Sequence, residues 1–302
     1  MPKTSDLTSS PASRSALVVG GSSGLGWHVA ARLVRAGYAV TITGRTPEKL
    51  QAAVDSIRST VADSETASKA IPADTHAARR SPATVRAQAG DATNEPDVQR
   101  WVDDHVAAHG GLDVLVNVVG KSDRGRLDTL SVKTLEDLLA VNVRGPLLCS
   151  QAALPELRLR RGVIVNIGSL ASRLTPRYMG GYITAKHALA GMTRQLRLEL
   201  ESEGVHVGLI CPGPIAGEQP SGGGDSATRY DIRDRDVPQA AAAPGGGAKL
   251  KGLSPEKVAD AVLRCIQRRE IEVVMPRKVR WLIALNALSP SLADRILGSR
   301  TS

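Results

Sequence analysis

The sequence predicts an α/β fold with a doubly wound sheet of seven, mainly parallel strands and helices on both faces. Short apolar runs alternate with segments of helical spacing along residues 16–276, as parallel strands joined by crossover helices require. The chain has no Phe and only 2% aromatic residues, so its core must consist of Val, Leu, Ile and Ala. A chain of 302 residues is long enough for a single large domain, which we assign to residues 16–276.

A glycine-rich run separates the first predicted strand from the first predicted helix. Residues 16–20 are apolar and end in glycine, and residues 27–36 show helical spacing before Gly37. Between them, glycines allow the backbone to turn tightly and to approach a pyrophosphate at the N-terminus of the helix. We therefore expect a dinucleotide to bind at Gly20, Ser22, Ser23, Gly24, Leu25 and Gly26.

The end of the second predicted strand indicates which dinucleotide binds. Residues 39–43 form this strand, and Gly44 and Arg45 follow it. An acidic side chain here would bind the ribose hydroxyls of NAD, whereas an arginine neutralises the 2′-phosphate of NADP. Arg45 therefore favours NADP(H), and the alternative is a solvated arginine that precedes the next helix.

An unusual segment follows the second predicted helix, which covers residues 47–58 and begins with proline. Residues 59–82 are rich in Ala, Ser and Thr with little apolar periodicity, so we expect a disordered insertion. The third strand is predicted at residues 84–88, and Asp91 follows it. Asp91 is also a candidate cap for the helix that begins near Glu95.

Two asparagines stand out in the next elements. The fourth strand, residues 112–117, ends in Asn117, and Gly120 follows shortly after it. A long helix is predicted at residues 135–154, and Asn142 lies among its apolar residues. A buried amide needs hydrogen-bond partners, so Asn142 has either a structural or a functional role.

The chemically most informative residues follow the fifth strand. Residues 162–167 deliver Ser169 to the carboxyl end of the sheet, where open α/β sheets bind their ligands. Tyr182 and Lys186 are four residues apart in a helix predicted at residues 182–202, so both project from one face. A fixed ammonium favours phenolate and moves the pKa of a phenol from about 10 toward neutral pH. We expect Tyr182 to act as a general acid or base.

The last part of the predicted domain contains two further strands. The sixth strand covers residues 205–211, and a turn rich in proline follows it at residues 212–215. Residues 217–252 are rich in Gly, Ala and Pro, which indicates a mobile segment or one that becomes ordered on binding. A helix capped by serine is predicted at residues 254–268, and the seventh strand at residues 271–275.

Taken together, these motifs resemble the short-chain dehydrogenase/reductase family. The matching features are the glycines at 20, 24 and 26, and the order Asn166-Ile-Gly-Ser169, thirteen residues to Tyr182, then Lys186. The resemblance covers about residues 16–275 apart from the insertion, and it implies a Rossmann-type domain. It also implies the catalytic roles: Ser169 and Tyr182 hold a carbonyl, Tyr182 transfers the proton, Lys186 lowers the Tyr182 pKa and binds the nicotinamide ribose, and Asn142 holds a relay water.

The resemblance adds cofactor contacts and three departures. Asp91 would contact the adenine amino group with Ala92 beside it, and Asn117 and Gly120 would mark a turn that faces the cofactor. Residues 217–252 would be the substrate lid, and the nicotinamide would be covered by Pro212, Gly213 and Ile215. The departures from the family pattern are Val19 for threonine, Val118-Val119 for Asn-Ala, and Gly217 for the threonine that holds the carboxamide. We therefore expect one cofactor contact to be lost or supplied from elsewhere.

Residues 277–302 read as an amphipathic C-terminal extension. Apolar residues recur at helical spacings between Trp281 and Ile296, with a break near Pro290 and basic residues at the start. We favour a packed lid or dimer arm, and the alternative is an interfacial helix that makes a peripheral membrane contact through residues 277–297. The pattern is similar to extensions of relatives that reduce lipid-like or steroid-like ketones.

Composition narrows the remaining functional classes. Lys and Arg total 39 against 30 Asp and Glu, a net charge of +9, yet the charges are dispersed and no nucleic-acid motif occurs. Three scattered cysteines predict reduced thiols, and His105 and His109 have no further ligands nearby in sequence, so we expect no metal. Residues 1–15 read as a polar, disordered tail without a signal-peptide core, which favours a cytoplasmic protein.

The sequence thus predicts an NADP(H)-dependent oxidoreductase that interconverts a ketone and a secondary alcohol, on an apolar or lipid-like small-molecule substrate. One alternative is a 3-oxoacyl-(acyl-carrier-protein) reductase, in which Arg173 and Arg177 meet an acidic carrier. Another is a non-catalytic, dinucleotide-sensing scaffold that retains the fold. Through the helices that carry Asn142 and Tyr182 we expect a homodimer or homotetramer.

Overall fold

The computed structural model describes residues 14–68, 84–216, 237 and 251–298. Within these residues, seven strands form one sheet: β1 Ser15–Val19, β2 Ala39–Gly44, β3 Val85–Ala89, β4 Val114–Asn117, β5 Val163–Ile167, β6 His206–Pro212 and β7 Glu272–Met275. Their order is β3-β2-β1-β4-β5-β6-β7, and every pairing is parallel. The predicted doubly wound sheet is confirmed.

Helices cover both faces of this sheet. They are α1 Gly24–Arg35, α2 Pro47–Ser68, α3 Glu95–His109, α4 Val132–Leu139, α5 Gly145–Arg160, α6 Gly180–Leu200, α7 Pro255–Arg268, α8 Val279–Leu288 and α9 Pro290–Gly298. Alternate residues of β1 point to opposite faces, so Ala16 and Val18 pack with α1, α2 and α7. Leu17 and Val19 pack with α3 and α5 on the other face.

The strand order leaves a crevice at the carboxyl ends of the strands, where the order of the strands reverses beside β1. The connection from β1 runs through α1 to β2 on one side of the sheet, whereas β4 lies on the other side of β1. Helices on either side of such a reversal diverge and leave a crevice at the carboxyl ends of the strands. The glycine-rich run and Ser169 both follow strands at this edge.

The second helix is longer than the sequence predicts. Helix α2 continues to Ser68, so residues 59–68 of the predicted disordered insertion are helical, whereas residues 69–82 lie outside the described part of the chain. Neither glycine nor proline interrupts the chain between Pro47 and Ser68, so no residue breaks the helical hydrogen bonds. Ser59 and Thr60 donate their hydroxyls to the Ser56 carbonyl, which satisfies these polar groups within the helix.

The predicted long helix around Asn142 is two helices joined by one wider turn. Helices α4 and α5 are separated by a π-helical turn, Ala140–Arg144, with Asn142 at its centre. A π turn widens the helix locally and often lies at a functional site.

None of the described helices combines the length and the apolar character that crossing a bilayer requires.

His105 and His109 form a polar cluster with Thr41 under the sheet. The Nδ1 atom of His105 lies 2.8 Å from the Thr41 hydroxyl, and Nε2 of His109 lies 3.3 Å from the same oxygen. His105 is fully buried, and its Nε2 atom has no hydrogen-bond partner within the described structure. Burial lowers the pKa of His105 to about 3, and the nearby His109 and Arg86 contribute to the shift.

This histidine predicts a loss of stability in mild acid. The unfolded side chain titrates near pH 6.5, so between pH 6.5 and about 3 only the unfolded chain binds the proton. At pH 5 the free energy of unfolding should therefore be lower than at pH 7 by about 2 kcal/mol from this group alone. Denaturant titrations at both pH values should show a smaller difference for His105→Gln, whereas the exposed control His187→Gln should match the wild type. If the wild type, His105→Gln and His187→Gln all lose the same free energy of unfolding between pH 7 and pH 5, His105 is not the source of the loss.

Candidate active site

A cleft of about 1300 Å³ lies at the carboxyl ends of the central strands. Its walls include the glycine-rich run after β1, the turn after β5, the first turns of α6 and part of the C-terminal helices. Among the residues predicted to bind or react, those that line it are Gly20, Ser22, Ser23, Gly24, Leu25, Gly26, Arg45, Asp91, Ala92, Gly120, Ser169, Tyr182, Lys186, Pro212, Gly213 and Ile215.

The glycine-rich run is shaped by two close backbone contacts. The amides of Gly20 and Gly21 both donate to the Thr43 carbonyl, at 3.1 and 3.0 Å. A Cβ atom at Gly26 would overlap the carbonyl oxygen of Gly20, so the first turn of α1 packs directly on the strand end. A Cβ at Gly24, by contrast, would meet nothing within 4 Å, and this side of the run is open.

The N-terminus of α1 has the features of a phosphate cradle. Ser23 is the N-cap residue, but its side chain makes no capping hydrogen bond, and no acidic residue lies in the first turn. The first amides of the helix thus have no side-chain acceptor and point toward the open side of the glycine run. Arg45 is exposed at the same wall, and no described residue pairs with its guanidinium. These groups fit a dinucleotide with an additional phosphate.

Asp91 is not the cap of the following helix, which corrects one alternative. Asn94 caps α3, since its side chain accepts from the Asp97 amide at 3.0 Å. The Asp91 carboxylate instead accepts from the Thr93 amide and hydroxyl, both at 2.8 Å. Its own amide donates to Asp97, and this hydrogen bond, followed by Arg100, lowers the pKa of Asp97. The loop therefore holds Asp91 and Ala92 at the wall of the cleft.

Asn117, the last residue of β4, does not face the cleft, in contrast to what the family resemblance implies. Its side-chain amide donates to the Asn166 oxygen at 2.8 Å, and Asn166 donates in turn to the Thr193 hydroxyl at 2.9 Å. All three side chains are buried. This chain of hydrogen bonds ties β4 and β5 to α6 and thus supports the helix that carries Tyr182.

Ser169 is held so that its hydroxyl hydrogen remains available. Its oxygen accepts from the Ala171 amide at 3.1 Å, and its own amide donates to the Ser172 hydroxyl at 3.1 Å. Because the backbone contact uses the oxygen as an acceptor, the O–H group can donate to a ligand in the cleft. This geometry suits the polarisation of a carbonyl oxygen.

Tyr182 and Lys186 lie on one face of α6, one turn apart. The Lys186 ammonium is 5.8 Å from the centre of the Tyr182 ring and donates to the Ile167 carbonyl at 3.0 Å. Lys186 is only 4% exposed, so its charge acts in a poorly solvated place beside the phenol. A cation so fixed stabilises the phenolate that remains after a proton is donated.

The Asn142 side chain lies close to Lys186, with Gly120 next to both. Its amide donates to the carbonyls of Lys121 and Leu138, both at 2.9 Å, and its oxygen accepts from the Lys121 amide at 3.3 Å. A Cβ at Gly120 would lie 3.2 Å from the Asn142 oxygen and 3.4 Å from the Lys186 ammonium. Glycine at this position lets the two side chains come close, although Asn142 itself is buried behind the cleft wall.

Asp123 positions α6, a role for which the sequence offered no local signal. Its carboxylate accepts from the amide of Gly181, next to Tyr182, at 3.0 Å across 58 positions of sequence. The backbone supports the same arrangement, because Gly125 donates to the Tyr178 carbonyl at 2.9 Å. A carboxylate at a helix N-terminus also interacts favourably with the helix dipole.

Arg173 is fixed by an ion pair and is not a free surface cation. Its Nε and Nη2 atoms donate to the two carboxylate oxygens of Glu272, at 2.9 and 2.8 Å. The pair raises the pKa of Arg173 and fastens the turn after Ser169 to β7. The alternative that uses Arg173 to meet an acidic carrier protein therefore loses this contact.

Backbone hydrogen bonds hold the two ends of the predicted lid. Gly213 donates to the Met275 carbonyl at 2.7 Å, which holds the turn after β6 against β7. The Ala216 amide donates to the Leu253 carbonyl, and the Leu253 amide donates to the Pro214 carbonyl, each at 2.7 Å. Most of the predicted lid, residues 217–236 and 238–250, lies outside the described residues.

The C-terminal helices α8 and α9 form one wall of the cleft, and this wall comes from the stretch between Val279 and Leu297. Leu282 and Leu297 pack on the cluster formed by Leu170 and Leu174, just beyond Ser169. The apolar side chains that line this part of the cleft are Leu170, Leu174, Met179, Val279, Trp281, Leu282, Leu285, Ile296 and Leu297. For those in the C-terminal segment, the sequence signal was the helical spacing of apolar residues.

None of the three cysteines lines the cleft. Cys149, Cys211 and Cys265 are free and buried. Burial raises the pKa of each thiol to about 12, which keeps the thiols protonated at neutral pH.

Comparison with known sequences identifies a protein family. The family model described as short chain dehydrogenase matches residues 14–86 and 60–219. A dehydrogenase/reductase SDR family member 7B from Danio rerio is 28% identical over 94% of this chain and 84% of its own. A 3-oxoacyl-(acyl-carrier-protein) reductase from Staphylococcus aureus is 29% identical over 68% and 76% of the two chains.

Solved structures show the same architecture. A short-chain dehydrogenase from Streptomyces avermitilis superposes with a TM-score of 0.72 at 25% identity, covering 97% of this chain and 99% of its own. A metagenomic short-chain oxidoreductase in complex with NADP gives a TM-score of 0.63 at 25% identity, over 86% and 95% of the two chains. From the family match, the sheet and the constellation in the cleft, we conclude that the chain belongs to the short chain dehydrogenase family of oxidoreductases.

Proposed function

We propose that this protein interconverts a ketone and a secondary alcohol with NADP(H) as the hydride carrier. The observation that carries the proposal is the convergence of Ser169, Tyr182 and Lys186 in the cleft that also contains the phosphate cradle. The solved relative with bound NADP supports the choice of cofactor, and Arg45 at the cradle supplies the cation that a 2′-phosphate requires.

In this proposal, protein side chains bind the substrate oxygen and transfer a proton to it. When bound, the nicotinamide supplies the hydride that a carbonyl carbon receives. The Ser169 hydroxyl donates a hydrogen bond to the carbonyl oxygen, and Tyr182 gives its phenolic proton to that oxygen as negative charge develops on it. Lys186 stabilises the resulting phenolate, which takes up a new proton from solvent on the Asn142 side. Oxidation of an alcohol follows the same steps in reverse.

The lining of the cleft supports an apolar substrate. Beyond Ser169 and Tyr182 the wall consists largely of leucine, isoleucine and methionine side chains from three separate segments. Burial of apolar surface contributes about 25 cal/mol per Å², so a longer hydrocarbon chain should bind more tightly. We therefore propose an apolar or lipid-like ketone as the substrate class.

A carbonyl panel tests this proposal. We expect the purified protein to oxidise NADPH with medium- and long-chain ketones, and kcat/KM should rise with chain length, by several-fold for each added pair of CH₂ groups. Nicotinamide absorbance follows the reaction. Preference for short, polar ketones would contradict the substrate class, whereas turnover with none of the panel would contradict the reaction.

Arg45 offers a separate test of the cofactor. Arg45→Ala should weaken NADPH binding by about ten- to a hundredfold, because a charge-assisted contact to the phosphate is lost, and it should leave NADH binding nearly unchanged. Lys49→Ala is the matched control, since it removes an exposed cation from the neighbouring helix without touching the cleft. Equal affinity of the wild type for both cofactors would refute the role of Arg45.

The carrier-protein alternative remains a second candidate because of the relative from Staphylococcus aureus. Arg173 is engaged with Glu272, but Arg177 is exposed beside the end of α9. If an acidic carrier docks here, Arg177→Glu should lower activity on carrier-bound 3-oxoacyl thioesters more than on the free thioesters. Equal activity of wild type and variant on both forms would rule it out.

A further inference from the structure

The C-terminal helices carry three exposed apolar side chains, one of which, Trp281, also lines the cleft. Trp281 is 82% exposed, Leu288 is 86% exposed and Leu292 is 43% exposed. Trp281 and Leu288 are seven residues apart on α8, so they lie on one side of the helix. Grouped exposed apolar side chains of this kind mark interaction surfaces. We call Trp281, Leu288 and Leu292 the apolar face.

Basic side chains surround the apolar face. Arg277, Lys278 and Arg280 are exposed at the start of α8, and Arg295 is exposed on α9. The guanidinium of Arg177 lies beside Gly298 at the end of α9. Asp294 is the single acidic residue between positions 277 and 298. The charge around the face is thus strongly positive.

We propose that the apolar face docks on the surface of an anionic lipid bilayer. Trp281, Leu288 and Leu292 would enter the boundary between headgroups and acyl chains, where tryptophan is favoured. The surrounding cations would meet the anionic headgroups, which attract basic residues close to the surface. A second copy of the chain fits less well, because a symmetric contact through this face would bring two clusters of like charge together.

The docked orientation explains why the same two helices form a wall of the cleft. Leu282, Leu285 and Ile296 line the cleft, and so does Trp281, which is also 82% exposed. The residue that would enter the bilayer therefore lies at the rim of the substrate space. An apolar ketone dissolved in the membrane would then reach Tyr182 along a continuous apolar path. Delivery of the ketone along this path rests on the proposed function, whereas the docking itself does not.

Sedimentation with vesicles tests the docking with the full-length protein. We expect binding to vesicles of phosphatidylcholine mixed with phosphatidylglycerol, and much weaker binding to phosphatidylcholine alone. The double variant Trp281→Ser/Leu288→Ser should reduce the partition coefficient at least about tenfold, because both side chains lose their apolar burial. Arg277→Glu/Arg280→Glu should reduce it by about tenfold or more, with strong dependence on salt.

Matched controls separate this surface from general effects. Leu159→Ser removes a leucine that is 79% exposed on α5, and Lys49→Glu/Lys257→Glu reverses two exposed cations on other helices. Both controls should bind vesicles as the wild type does. Thermal unfolding should be nearly unchanged in all variants, since the altered side chains are exposed.

Any of three results would overturn the proposal. The first is that the wild type fails to sediment with the anionic vesicles, and the second is that the apolar-face variant binds them as the wild type does. The third result is that this variant converts an oligomer to a monomer in light scattering, which would identify a subunit interface. Turnover of a water-soluble ketone, measured without vesicles, reports on the proposed reaction separately, so failure of one does not imply failure of the other.

Discussion

Tyr182→Phe is expected to lower kcat at least about a thousandfold, because it removes the phenolic proton that the substrate oxygen receives. The ring remains, so the packing of α6 and the position of Lys186 should be preserved. NADPH binding, followed by fluorescence titration, should change little. The variant thus separates catalysis from cofactor binding.

A neighbouring tyrosine provides the control for this experiment. Tyr178 precedes α6 but does not line the cleft, so Tyr178→Phe should retain nearly full activity. If Tyr182→Phe and the wild type turn over ketones at similar rates, the phenol is not the proton donor. If Tyr182→Phe is inactive in the test tube but restores the biological function of a deletion strain, the sensing-scaffold alternative is favoured.

Gly26→Ala is expected to reduce cofactor affinity at least about a hundredfold and to lower stability by several kcal/mol. The added methyl group would overlap the Gly20 carbonyl, which is backbone and cannot rotate away. The glycine-rich run would have to move off the first turn of α1, and the amides that face the phosphates would move with it. Isothermal titration with NADPH measures the affinity, and thermal unfolding measures the stability.

Gly191 is the matched control, because it is an exposed glycine within α6 whose added Cβ would meet nothing within 4 Å. Gly191→Ala should leave NADPH affinity unchanged and should stabilise the protein by up to about 1 kcal/mol, through a better helix propensity. Similar affinities for Gly26→Ala and Gly191→Ala would contradict the tight packing of the run.

Local sequence patterns predicted most of the fold because the strands are continuous apolar runs and several helices have clear caps. Ser254, for example, accepts from the Lys257 amide as the cap position predicts. The boundary of α2 was wrong, since composition alone does not separate a polar helix from a disordered segment. The π turn at Asn142 was also missed, because a one-residue shift in helical phase leaves little trace in apolar spacing.

In the active site, too, residues that are close in sequence could be predicted, whereas contacts between distant parts of the chain could not. Ser169, Tyr182 and Lys186 could be predicted because they stand close together in the sequence, in an order and spacing that resemble the family's pattern. Asp123 could not, because its contact with the Gly181 amide depends on a loop that approaches from another part of the sheet. The inward turn of Asn117 toward Asn166 likewise depends on the register of β4 against β5.

Direct transfer of hydride is the central claim of this account, and isotope labelling tests it most directly. NADPH that carries deuterium at the hydride-donating carbon of the nicotinamide would be incubated with the protein and the best ketone of the panel. We predict that the product alcohol carries one deuterium on its carbinol carbon, as detected by mass spectrometry. An alcohol without deuterium, or cofactor oxidation without any alcohol, would contradict the proposed reaction.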